Sequence, residues 1–370
     1  MAIDPLLDAA VALTLAVEGI DWDAEQVRSC IQELAAAVST ASRDSIAASA
    51  AVLVDRLERS TVEDADGVAH VAITAGTLVE HGAPAGALGE VLLTKLPALM
   101  EAARRYADRC LADLPPPDEE KDEDGLLWVD RRAIPEDVFR THLATDRPGA
   151  AALYGIDHWV LPTVAVLTRD RDLLLRACHD ARLRAAASRM VDSDAHWIDL
   201  LLGVELDALW LAVCPIERRA FRIAIDGIVS NFDLHALLAA ALTARGIPGE
   251  PNPPEVMSFI RGDAPKPSAA GVRGTWNLYT WQAASFDLSV PSSVPHSTWV
   301  WGEGRPHDVP AFDGSRTLLV GPQAYTRSWA LGRPFSALPS RVAVQDELPT
   351  EDVDAVLTRM RAAAEPPQAR

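Results

Sequence analysis

Apolar positions recur at intervals of three and four through the first 113 residues, a spacing that gives a helix one continuous apolar stripe. The pattern predicts five successive amphipathic helices, at about 5–17, 24–40, 44–59, 64–81 and 85–112. Asp23, Asp44 and Asp64 stand where N-caps belong, since a short carboxylate can accept from the unpaired N–H groups of a first turn. Gly19 and Gly82 follow the predicted ends, where a left-handed residue stops a helix. Connections this short force neighbouring helices antiparallel, giving a bundle or a helical-hairpin array. The helix starts are spaced by about 20 residues, as in paired-helix repeats, but no residue signature recurs with them, and a simple bundle is the preferred expectation.

The pattern breaks at 114–125, where three consecutive prolines meet six acidic side chains and one lysine. Such a segment buries nothing and predicts a linker between an all-α domain, 1–113, and a second domain, 126–370. Helical spacing resumes at about 135–144, 148–168, 170–190 and 194–206, and then the period shortens. From Leu209 to Cys214 and from Ala220 to Val229 apolar residues alternate or run together, which predicts a β-hairpin turning near Pro215–Arg219. A helix over 232–245 is capped by Ser230. Residues 247–272, with six prolines, predict mostly irregular backbone, either an ordered lid or disorder. Further strands are expected at 275–282, 297–301, 316–320 and 341–344, and a last helix at 351–363 begins after Thr350. The fold class that follows is mainly α with an α+β C-terminal part, its helices packed on a mixed or antiparallel sheet of about six strands.

Charge refines the picture. The chain carries a net charge of −19, of which −15 belongs to residues 1–125. A surface of that sign repels phosphate backbones and anionic lipid, so neither nucleic acid nor membrane is expected as a partner. A basic protein could instead dock on the acidic first domain. Arginines number 31 against three lysines, the mark of a GC-rich coding sequence. Four cysteines stand far apart, and Met1–Asp4 carries no basic segment leading into an apolar run, which points to a cytoplasmic protein with reduced thiols.

The candidate chemistry is aromatic. Five of the ten tryptophans, Trp276, Trp281, Trp299, Trp301 and Trp329, fall within 276–329, with Tyr279 and Tyr325 among them. Strand alternation puts Trp276 and Leu278 on one face, and Asn277, Tyr279 and Trp281 on the other. Trp299 and Trp301 share a face of the next predicted strand. If these faces oppose each other, Trp276, Tyr279, Trp281, Trp299 and Trp301 line a slot for a peptide, a protein surface or a small planar ligand. The loop Gly302–Asp308 adds Glu303, Arg305, His307 and Asp308. There Arg305 could grip an anion, and Glu303 with His307 could move a proton, which are the parts of an enzyme of specialised metabolism.

His196 and Asp199, three apart on a helix, and the segments Asp157-His158-Trp159 and Asn231–His235 are read as structural, and neither a metal nor a cofactor is expected. Phosphate-loop, dinucleotide, nucleophile-elbow, zinc-protease, paired-cysteine and calcium-loop motifs do not occur. The leading expectation is therefore a binding or accessory protein. A Glu303/His307 enzyme and an acidic docking or immunity-type protein stand behind it.

Overall fold

A computed structural model describes residues 4–18, 22–115, 120–121, 127–128, 134–190, 194–268 and 271–364. The chain divides into two compact units, Met1–Leu202 and Gly203–Arg370.

Among its described residues the first unit is helical apart from a two-residue ladder. Its helices α1 (Pro5–Ala16), α2 (Ala24–Val38), α3 (Arg43–Glu58), α4 (Ala65–Glu80) and α5 (Gly86–Ala112) match the predicted five within a few residues. Asp23 caps α2 through the N–H groups of Glu25 and Gln26. The α3 cap is Ser42 rather than Asp44, because the helix starts one residue earlier and the Ser42 hydroxyl accepts from the Ser45 N–H. Asp64 precedes α4 but turns its carboxylate away from that helix. It accepts from Thr61 and from Arg56, which also donates to the Val17 carbonyl at 3.0 Å. Gly19 lies outside the described residues.

Five further helices complete this unit: α6 (Glu136–Leu143), α7 (Arg147–Leu167), α8 (Arg171–His179), α9 (Ala181–Ser188) and α10 (His196–Leu202). The single helix expected over 170–190 is two, because Asp180 takes an extended conformation and caps α9. The division between units thus falls after α10, well beyond the acidic 114–125 segment expected to mark it. Helix α7 is the reason, since it packs against α4 and α5 and buries Trp159, whose indole donates to the Ala65 carbonyl at 3.0 Å. The α4–α7 approach is close. A Cβ on Gly76 would lie 2.5 Å from Cβ of Pro162. At the acidic segment, β1 (Glu120–Lys121) pairs with β2 (Leu127–Trp128) just beyond it, and 116–119 and 122–126 lie outside the described residues.

By length and composition α7 is apolar enough to cross a bilayer, but 67% of its apolar window is buried inside this unit. Its apolar face is satisfied by α4 and α5.

The second unit is built on a mixed six-stranded sheet. Strands β3 (Ala208–Cys214) and β4 (Arg219–Asp226) form the expected hairpin, with Cys214 opposite Arg219. They are followed by α11 (Asn231–Thr243), α12 (Pro254–Arg261), β5 (Gly271–Arg273), β6 (Asn277–Thr280), β7 (Ala311–Phe312), β8 (Ser315–Gly321), β9 (Ser328–Ala330), β10 (Arg341–Glu347) and α13 (Thr350–Ala364). The sheet order is β10-β4-β3-β8-β6, with β7 also on β8. Only β3 and β8 run parallel, which joins the early hairpin to the late aromatic half of the unit.

Period-two alternation sends Trp210, Phe221, Ile223, Leu278 and Leu318 to one side, under α11 and α12. Val213, Ala220, Tyr279 and Leu319 go to the other side, under Val353, Leu357 and Met360 of α13. Residues 247–253 and 262–268 are irregular, as expected, but an unexpected helix interrupts them. Pro254 starts α12, whose Val256, Met257 and Ile260 bury into the core, and Gly262 ends it in the left-handed region. Helical spacing prevails only over 254–261.

Candidate functional site

Strand β6 sets the site by placing alternate residues on opposite sides of the sheet. Trp276, just before it, is buried among the α11 and α12 side chains and donates to the Pro248 carbonyl at 3.0 Å. Tyr279 is fully buried on the opposite side. Trp276 and Tyr279 therefore do not line a common slot: the sheet separates them, as the alternation itself requires.

The remaining rings gather on the α13 side. The strand expected at 297–301 is a short 3-10 turn, His296–Thr298, followed by extended backbone that touches β6 at two points. Trp299 bridges Tyr279, and the Val300 N–H donates to the Leu278 carbonyl at 2.8 Å. Trp299 is the centre of a ring stack. It lies nearly parallel to Trp301 at 5.0 Å and to Tyr325 at 6.4 Å, and it meets Tyr279 edge-on at 5.8 Å. The His296 ring stands edge-on to Trp299 and to Trp301. Arg327 places its guanidinium 5.6 Å from the Trp301 ring centre, a cation held against an electron-rich face. Trp281 lies apart from this stack, tilted on Phe312 at 5.1 Å.

Burial grades outward along the stack: Trp299 is 6% exposed, Trp301 is half-buried and Tyr325 is 53% exposed. The inner rings serve the core, while the outer two present ring surface to solvent. Among the described residues Arg327 makes no side-chain hydrogen bond and no ion pair. Its charge acts inward instead, opposing the upward push that burial gives the Tyr279 hydroxyl. That hydroxyl accepts from Asn277 Nδ2 at 3.2 Å. Asn277 Oδ1 and Trp281 Nε1, both buried, have no partner.

The loop Gly302–Asp308 packs on the N-terminus of α11. The Asn231 N–H donates to the Gly304 carbonyl, Asn231 Nδ2 to the Trp301 carbonyl at 2.8 Å, and His235 Nε2 to the Val300 carbonyl at 2.9 Å. Gly302 has to be glycine, because a Cβ there would enter the Phe232 ring. Burial holds His235 down at about 4, so it is a neutral donor. Asn231 and His235 stand i, i+4 on α11, and His235 is buried, in keeping with the structural reading of the Asn231–His235 segment.

Within the loop Glu303 is exposed and Arg305 is half-buried. His307 Nε2 lies 3.2 Å from Asp308, and its Nδ1 is buried without a partner. These side chains adjoin the Trp301 backbone but are not stacked with its ring. Beyond them, a groove of about 650 Å³ is lined by Pro251, Asn252, Arg273, Thr275, Gln323 and Thr326. Its wall at 323–327 also carries Tyr325 and Arg327. No tryptophan lines it, so this groove is not the expected aromatic slot.

His196 and Asp199 both lie on α10 as expected. Among the described residues no group of three or more His, Cys, Asp or Glu side chains is arranged to hold a metal ion. The four cysteines are unpaired, and burial pushes the Cys214 thiol up to about 12, which keeps it protonated.

Set beside family models, curated proteins and solved structures, the chain matches none of them.

Proposed function

We propose that this is a binding protein whose C-terminal unit recognises a peptide, protein or small ligand through the outer end of the Trp299 stack. The single observation that supports this reading is Arg327, a half-buried cation with no acidic partner among the described residues, held against the Trp301 ring of a Trp299 stack that also carries the exposed Tyr325. Rings of this kind attract a flat apolar group, and an arginine free of carboxylates attracts an anion. The ligand class that follows has both, such as an aromatic carboxylate or a peptide segment carrying an aromatic and an acidic residue. The reading takes the protein to be cytoplasmic, which its unpaired thiols support.

The test is a titration of the full chain with indole-3-acetate and with its neutral amide, following the indole N–H resonances by NMR. The acid should shift the Trp301 and Trp299 signals at lower concentration than the amide does. Trp301→Ala should abolish the response, and Arg327→Met should remove the preference for the acid. Unmoved Trp299 and Trp301 signals at millimolar ligand would reject the reading.

A catalytic reading draws on one observation, the buried Nδ1 of His307 that lacks a partner while Nε2 faces Asp308. In that reading His307 and Glu303 exchange a proton with substrate and Arg305 anchors it. Glu303→Ala and His307→Ala would then remove turnover and leave the ligand-induced indole shifts in place, whereas variants that retain turnover would exclude it.

A further inference from the structure

The pair Asp157-His158 belongs to the N-terminal unit and has no part in the proposed site. His158 on α7 faces His70 on α4, their ring centres 5.1 Å apart and tilted by 50°. Trp22, directly before the α2 cap Asp23, stands edge-on to His70 at 5.2 Å. Gly67, one turn before His70, makes the room: a Cβ there would lie 2.7 Å from Trp22 Cδ1. The Trp22 indole donates to Asp66 at 3.5 Å. A tryptophan edge, two imidazoles and the opening of α2 thus meet on the α4–α7 helix pair.

We propose that Trp22, His70 and His158 form an acid-sensitive latch, which holds the start of α2 on the α4–α7 pair while both imidazoles are neutral and releases it when both are charged. Two neutral imidazoles stack without penalty. Two imidazolium ions at the same separation, half removed from water, repel each other, and the displaced ring is the one that carries Trp22.

The charged groups around the pair act in both directions. Asp66, on the same face of α4, favours the charged form of His70, while His158 across the seam opposes it. Asp157, beside His158 on α7, is itself pushed toward its neutral form, by burial first and by Asp194 second. It therefore offers the pair a weakened counter-charge. Burial is the largest influence on His70, and the result is an imidazole held below its ordinary value. A group whose folded value is depressed in this way leaves stability intact above the unfolded value of about 6.5. Stability is then lost as the pH falls below that value toward the folded one, so the latch works in mildly acidic solution.

The test uses the full chain with isotopically labelled histidine, following imidazole carbons by NMR between about pH 7.5 and about pH 5. The His70 step should lie below the ordinary histidine range. In His158→Gln the His70 step should move upward by about 0.5 pH unit or more. Denaturation midpoints measured at both pH values should fall with acid in the wild type, and that fall should be at least halved in His158→Gln. A His70 step at an ordinary histidine value in the wild type overturns the latch even if the variant does not fold, as does an unmoved His70 step or an undiminished acid loss in a folded variant.

Discussion

The α4–α7 seam of the N-terminal unit and the sheet core of the C-terminal unit bury apolar surface by opposite means. In the N-terminal unit the helices meet over small residues: α4 buries Ala65, Gly67, Ala69, Ala72, Ala75 and Gly76, and Pro162 of α7 sits directly on Gly76. In the C-terminal unit large rings do the filling, with Trp210 and Phe221 on one side of the sheet and Tyr279 and Trp299 on the other. A seam of small residues has no spare volume and fails when something is added. A core of large rings fails when something is removed.

Truncation should give the largest effect. Trp210→Ala empties a site 1% exposed and should cost about 3–5 kcal/mol in a denaturation experiment. A loss under 1 kcal/mol would show that the sheet core collapses onto the gap. Addition is the counterpart in the other unit. Gly76→Val should cost about 1–3 kcal/mol or more, because the new side chain meets the Pro162 ring in the middle of two helices. If Gly76→Val were neutral, the α4–α7 seam would have slack and the contrast would fail.

Titration gives a third comparison. Burial pushes the Asp233 carboxyl up to about 7, with Arg333 pulling the other way. An acid whose folded value lies above its unfolded one contributes stability that is fully present below about 3.8 and is lost as the pH rises through about 7. Asp233→Asn should therefore raise the melting temperature more at about pH 8 than at about pH 5. An equal change at both would mean that the carboxyl is ionised throughout. Acid thus weakens the His70–His158 pair of the first unit, whereas base weakens this helix of the second.

Polar truncation comes next. Asn252 donates to the Arg273 carbonyl at 3.0 Å and accepts from the Arg273 N–H at 2.8 Å, replacing a missing strand at the edge of β5. Asn252→Ala strips both partners and should cost about 1–3 kcal/mol. Faster amide exchange at Arg273 would locate the loss, and unchanged protection there would show that water substitutes. The smallest effect belongs to Tyr325. Exposed over half its surface, it should change stability on alanine substitution by no more than about 0.5 kcal/mol, although the proposed ligand should bind less tightly. A large loss of stability would make Tyr325 a structural clasp for the 322–327 loop instead.

Local signals in the sequence were sufficient for most elements. The first five helices, the β3–β4 hairpin, the Ser230 cap and the closing helix each depend on residues within a few positions of one another, so periodicity and capping chemistry reveal them. The 297–301 segment misled for the same reason. Its alternating apolar residues read as a strand, but Pro295 and the 3-10 turn after it leave only two points of contact with β6. The site was half legible. Alternation placed Trp276 and Tyr279 on different sides of the sheet, yet it could not tell which rings would meet across 20 to 50 residues of chain.

What the sequence determined alone is the list of elements, the face each residue takes within its own helix or strand, and the acidic balance of the first third. Tertiary structure decided which elements share a core. Helix α7 joins α4 and α5 across the acidic segment because its apolar face finds its complement there, and no local pattern encodes that match. Tertiary structure also decided that Trp299 is covered while Trp301 and Tyr325 stay open. Burial is set by neighbours from distant parts of the chain, and those neighbours exist only once the sheet has closed over them.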